Sequence, residues 1–170
     1  MSTADDESRD RSSRREELFA RVGDALKIHE GRNLLERYAL YMMRIQMYEL
    51  SLKQDLQSLF GVSEERAETM SLNGILRYYV DHDIRAHPIL YENVREIARQ
   101  RNSMAHDFLA VTSVLADLDD NFVALPARDL DKWTWELELA VQEYLMLKES
   151  GQLYRDWGVK PEWEAHPQPV

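Results

Sequence analysis

The chain has no cysteine among its 170 residues. That excludes disulfides, a thiol nucleophile and thiolate zinc sites, and it is compatible with a reducing compartment. There is no Gly-rich phosphate loop, no His-Glu-x-x-His pair and no Gly-x-Ser-x-Gly elbow, so the common nucleotide, zinc-protease and serine-hydrolase signatures are missing. No apolar run approaches the ~18 residues of a membrane span. The stretch from Met1 to Glu17 is polar, without the apolar segment of a signal peptide. The expectation is a cytoplasmic protein with no membrane association. Positive charge is also in deficit: 21 Lys and Arg stand against 31 Asp and Glu, a net charge of −10. Such a chain repels nucleic acid at long range, so an RNA or DNA substrate requires a local basic patch. The plain reading of the charge is solubility.

Period-two alternation is absent over any useful length and no internal repeat is visible, which leaves helices. Hydrophobic residues make up 44 % of the chain and fall in stripes of helical spacing. Residues 1–14 alternate Asp, Glu, Arg and Ser and read as a flexible charged tail. One stripe, with Leu18, Phe19, Val22, Ala25 and Leu26, predicts a helix from about Arg15 to Ile28. Gly31 breaks it. The clearest helix is Asn33 to Leu59, where Leu34, Tyr38, Tyr41, Ile45, Tyr48, Leu52 and Leu59 recur near every 3.6 residues. Ser63 and Ser71 suit the N-caps of two short helices, the second burying Leu72, Ile75, Leu76 and Tyr79. Pro88 suits the first turn of a helix running to about Leu109, with Ile89, Val94, Ile97, Ala98, Met104, Ala105 and Phe108 apolar. Over residues 110–128 two readings stand: Ala110 to Leu118 could extend this helix, while Asp119-Asp120-Asn121 and Pro126 argue for a connection. A last helix from about Leu130 to Glu149 turns Trp133, Leu137, Ala140, Val141 and Tyr144 inward and ends at Gly151. Trp133 and Trp135 fall on different faces, so one of them is expected at the surface. The expected architecture is all-α, an up-and-down bundle of long antiparallel helices over 15–150, followed by an extended tail over 151–170.

The run Arg101-Asn102-Ser103-Met104-Ala105-His106 combines groups suited to phosphate chemistry. An arginine offers a permanent planar cation matched to phosphate oxygens. A histidine gives or takes a proton near neutrality. Asn102 and His106, four apart, share a helix face, while Arg101 sits about 140° from His106 at 3.6 residues per turn. Such an arc fits a cleft between two copies of the helix better than a pocket within one chain. Arg85, Arg95, Arg99 and Arg101 gather nearby against Glu92 and Glu96, and Arg95 and Arg99 share a face that could follow an RNA backbone. The same spacings also make ordinary surface salt bridges.

The segment Ala98-Arg99-Gln100-Arg101-Asn102-Ser103-Met104-Ala105-His106-Asp107-Phe108 resembles the signature of the HEPN superfamily: an Arg, a polar residue, then a His late in a long helix of a bundle. The resemblance implies a metal-independent, cofactor-free endoribonuclease acting as a homodimer. Arg101 would bind the scissile phosphate, His106 would move the proton, and Asn102 would orient the pair. Attack by the RNA 2′-hydroxyl would leave a cyclic phosphate. The implied role is a toxin or antiphage effector restrained by a neutralising protein partner. Members silenced by nucleotidyl transfer carry a Tyr two residues after the His, where this chain has Phe108; that control is not open to it. The alternative is a non-catalytic module of the same fold that binds a basic partner through its acidic surface. Weaker signals are Asp81-His82-Asp83 with His87, which match no strong metal template and read as an interhelical turn, and the isolated His29 and His166. The Met and Tyr residues of the long helix read as core or dimer interface, or as a seat for a partner helix.

Overall fold

The computed structural model describes the backbone of residues 3–104 and 124–154, and side chains over 9–104 and 128–154. Six α-helices carry the described chain: α1 (Thr3–Leu26), α2 (Leu34–Phe60), α3 (Glu64–Thr69), α4 (Leu72–Asp81), α5 (Pro88–Ser103) and α6 (Ala124–Glu149). One 3-10 turn, Lys27–His29, follows α1, and no strand occurs among the described residues.

The helix ends follow local chemistry. Asn33 caps α2 in a reciprocal box: its side chain accepts from the Glu36 N–H at 2.9 Å, and the Glu36 carboxylate accepts from the Asn33 N–H at 3.0 Å. Gly61 ends α2 at φ +66°, a left-handed conformation open to glycine, and Val62 N–H returns to Leu56 O at 3.1 Å. Ser63 and Ser71 cap α3 and α4 as expected. His87 caps α5, with Pro88 in its first turn. Gly151, also at φ +66°, ends α6.

The core runs along one face of α2 through Tyr41, Ile45, Tyr48, Leu52 and Leu56. Against it lie Leu72, Ile75 and Tyr79 of α4, Leu90, Val94 and Ile97 of α5, and Leu137, Val141 and Tyr144 of α6. Each fully buried aliphatic side chain contributes about 2 kcal/mol by leaving water. Three polar links set the register of α2 against α6. Arg37 pairs with Asp131. Arg44 grips Glu138 through two bonds of 2.7 and 2.8 Å. Asp55, which is buried, accepts from Tyr144 Oη at 2.8 Å and from Lys148 Nζ at 2.5 Å. Both sequences rise together through these pairs, so α2 and α6 run parallel. Helix α5 runs antiparallel to α6, as Asn93 to Glu143 and Gln100 to Glu136 show. The bundle of long antiparallel helices expected from the sequence is thus not what the seam of α2 and α6 shows; among the described residues α3, α4 and α5 lie between these two parallel helices in sequence.

Other boundaries differ from expectation. Residues 3–14, read as a tail, continue α1, where charges at helical spacing pair: Arg14 with Asp10, and Arg21 with Glu17. Leu59 is 58 % exposed, and Leu56 takes the buried place. Helix α6 begins at Ala124 rather than Leu130. The start of the extended C-terminal segment is a docked turn. Leu153 is buried and its carbonyl accepts from His87 N–H at 2.8 Å, while Tyr154 Oη reaches Asp55 at 3.2 Å and Tyr79 Oη at 2.9 Å. Residues 155–170 and most of 110–128 lie outside the described residues.

Replacing Asp55 with Ala strips two buried tyrosine hydroxyls and Lys148 of their acceptor. The expected cost is about 3 kcal/mol, read as a lowered urea midpoint, while Lys148→Ala costs less because Tyr144 and Tyr154 still donate to the carboxylate. Equal effects from the two variants would show that Asp55 is not the centre of this network.

Candidate functional site

The last turn of α5 carries the first residues of the Arg-to-His run. Gln100 fixes its rotation. It is fully buried, accepts from Tyr41 Oη at 3.0 Å, and donates to Glu96 at 3.0 Å and Glu136 at 2.7 Å. With Gln100 turned to α2 and α6, its neighbours diverge. Arg101 turns toward α2, where its Nη1 lies 3.6 Å from Glu49 Oε2. Glu49 in turn holds Lys53 Nζ at 2.8 Å. Asn102 is exposed and opens onto a surface groove of about 620 Å³ that it lines with Asn73, Glu92, Arg95, Glu96 and Arg99.

The fold therefore brings Asn102, Arg95 and Arg99 together and sets Arg101 on another side of the helix. His106, Phe108 and His166 lie outside the described residues. Most of the expected positive balance is offset by local carboxylates. Arg99 pairs with Glu96 through contacts of 2.9 and 2.5 Å, and this guanidinium holds the Glu96 carboxyl below its ordinary pKa against the opposing effect of burial. Arg85 lies 3.9 Å from Asp83, and Arg101 faces Glu49. Arg95 is exposed and pairs with no described carboxylate. The partnership of Glu49 with Arg101 joins residues far apart in sequence, and no spacing rule could have found it.

The weaker candidates resolve simply. His82 stacks on Tyr78 with ring centroids 3.8 Å apart and sits in the turn after α4, where Asp83 takes φ +51°. No group of three or more His, Asp or Glu side chains suited to a metal occurs among the described residues. His29 follows α1, its pKa lowered by burial. Trp135 is the exposed tryptophan of the pair on α6, beside Phe19, while Trp133 packs against the core. A second cavity, of about 410 Å³, lies among α1, the start of α5 and α6. Its polar groups are engaged within the chain: Arg21 bridges Glu17 and Glu149, and Glu143 accepts from Asn93 at 2.7 Å. No helix of the described chain is long and apolar enough to cross a membrane. No family model, curated protein or solved structure matches the chain.

His87, on the rim of this cavity, yields a pH prediction. Burial lowers its pKa, and its Nδ1 accepts the Ile89 N–H at 3.3 Å, a bond that needs the neutral ring. On acidification the unfolded chain takes up this proton near its ordinary pKa, about 6.5, before the folded chain does. The contribution of His87 is therefore complete above that value and lost as pH falls through it. Thermal melts at pH 7 and pH 5 should show a smaller acid loss for His87→Asn, which keeps a capping acceptor without the titration. An unchanged loss would remove His87 from the explanation.

Proposed function

We propose that this chain is a metal-independent endoribonuclease of HEPN type, with Arg101, Asn102 and His106 at its site and a homodimer as its working form. The observation that carries the reading is the placement of Arg101 and Asn102 in the last turn of a 16-residue helix whose adjoining groove presents Arg95 and Arg99. A bundle of antiparallel long helices is the fold this reading expects, and α5 against α6 is consistent with it. In the reaction, the RNA 2′-oxygen attacks the adjacent phosphorus and gives its proton to a base, for which His106 is the candidate. The bond from phosphorus to the 5′-oxygen breaks, and that oxygen leaves protonated. The products are a 2′,3′-cyclic phosphate and a 5′-hydroxyl. Arg101 stabilises the charge building on the non-bridging oxygens, and Asn102 orients the phosphate. Arg95 and Arg99 contact the flanking backbone. The biological role that follows is a toxin or antiphage effector held by a neutralising protein.

A second reading has its own support. The net charge of −10, and the carboxylate beside each of Arg85, Arg99 and Arg101, favour a non-catalytic helical module that binds a protein partner through acidic surface.

Incubating the purified chain with RNA and a chelator decides between them. Cleavage to cyclic-phosphate ends, lowered at least about 100-fold by His106→Ala and similarly by Arg101→Ala, is the expected result. Intact RNA, or cutting that survives the loss of His106, sinks the ribonuclease reading. Because Glu49 competes with phosphate for Arg101, Glu49→Gln should tighten RNA binding and steepen its salt dependence. Looser binding by that variant would show that Glu49 positions Arg101 rather than competing for it.

A further inference from the structure

Four apolar side chains from three helices meet around the cavity of about 410 Å³: Leu18 of α1, Ile89 in the first turn of α5, and Met146 and Leu147 near the end of α6. Each is only partly buried. Single exposed apolar residues are ordinary, whereas apolar groups converging on one hollow mark a contact surface. Glu143 lines the same hollow. Among the described residues it receives one hydrogen bond, from Asn93 at 2.7 Å, and burial raises its pKa above the ordinary carboxyl value. Helix α1 is loosely held beside it. Of the described side chains of α1, Val22 alone is buried, and the pair of Arg21 with Glu149 is too exposed to contribute much.

The chain itself runs along the rim of the hollow. Gln152 is part of the lining. The Leu153 carbonyl accepts, at 2.8 Å, from the N–H of His87, which also lines it. Tyr154 turns away to Tyr79 and Asp55. The sequence then continues Arg155-Asp156-Trp157-Gly158-Val159. Four residues of extended chain span at most ~14 Å, so the bond at Leu153 tethers Trp157 close to the hollow.

We propose that this hollow is the seat of Trp157, which docks the segment after Tyr154 against α1 and the adjoining ends of α5 and α6 and latches α1 to the bundle. Three features select this occupant. Tryptophan is the largest apolar side chain and can bury up to ~250 Å², which suits a floor built from four partly buried apolar residues. Its indole N–H requires an acceptor once buried, and Glu143 offers a carboxylate with one described donor. The tether gives an effective concentration on the order of millimolar, against which a separate apolar ligand must compete. Trp163, six residues further on and past Pro161, is the more weakly tethered indole. The seat at Ile89 lies about 18 Å along α5 from Arg101, at ~1.5 Å per residue, so the latch is independent of the ribonuclease reading and stands or falls without it.

In a full chain carrying Trp133→Phe, Trp135→Phe and Trp163→Phe, Trp157 is the sole indole. Its emission should lie to the blue of free tryptophan, and iodide should quench it several-fold less. Ile89→Lys sets a charge in the seat at a partly exposed position, and should return both readings to those of a solvated indole. A second measurement needs no loss of tryptophan and decides the matter where the triple variant fails to fold. In the cysteine-free chain, Glu17→Cys with Gly158→Cys should oxidise to a bond between α1 and the docked segment, at a rate that falls several-fold when Trp157→Ala is added. A solvated Trp157 in the folded parent, a protected Trp157 indifferent to Ile89→Lys, or cross-linking indifferent to Trp157 overturns the inference.

Discussion

A single buried carboxylate organises much of this protein. Asp55 lies inside the bundle, where an unpaired charge would be costly, and its two oxygens must therefore find donors. They find them on two other pieces of chain: α6 supplies Tyr144 and Lys148, and the turn after α6 supplies Tyr154. Tyr154 also bonds Tyr79 of α4. The requirement to satisfy one group fixes the relative depth of three helices and draws the residues following Gly151 back onto the bundle. Apolar packing tolerates small sliding of one helix on another, whereas a hydrogen-bonded charge does not. The ion pair of Arg44 with Glu138, further along the same seam, enforces the same parallel register.

How much of this was legible in the sequence depended on whether the cause was local. The extent of α2, the Ser63 and Ser71 caps, Pro88 in a first turn and Gly151 at a helix end all follow from chemistry within a few residues, and the structure places them where spacing puts them. The errors share one origin. Leu59 continues the apolar spacing of α2, yet the last turn packs through Leu56 and Phe60, the latter against Tyr79 and Tyr154, and leaves Leu59 in water. The charged start of α1 carries no apolar stripe, but helix there is supported by Arg-carboxylate pairs one turn apart, a signal weaker than hydrophobic periodicity. The direction of α2 against α6 is a property of the whole chain and has no local signature.

The candidate site divides along the same line. That Arg101 and Asn102 sit on a helix was readable; that Gln100 is buried between them and the core, sending Arg101 toward α2 and Asn102 toward the groove, was not. The sequence presents Arg85, Arg95, Arg99 and Arg101 as a basic group. In three dimensions all but Arg95 face a described carboxylate, and the groove beside Asn102 carries Glu92 and Glu96 among its arginines. Counting charges along a helix measures composition, whereas a polyanion responds to the field left after nearby pairs have cancelled.

That cancellation constrains any function built on phosphate. For RNA to occupy this surface, a phosphate must displace the Glu49 carboxylate from Arg101 and compete with Glu96 for Arg99. The Arg99 contact is two-pronged and short, so it is the harder to displace, while the 3.6 Å contact of Arg101 with Glu49 is long and single. A phosphodiester carries the same unit charge as a carboxylate and is recognised by the same planar fork, so exchange at Arg101 is close to balanced in charge and exchange at Arg99 opposes a better-made pair. Removing a cation from an internal partner also works against the long-range repulsion of a chain at −10. On the ribonuclease reading, the resting site is therefore held by its own carboxylates, Arg101 is the point at which phosphate enters, and Arg95, exposed and without a described acidic partner, makes the first contact.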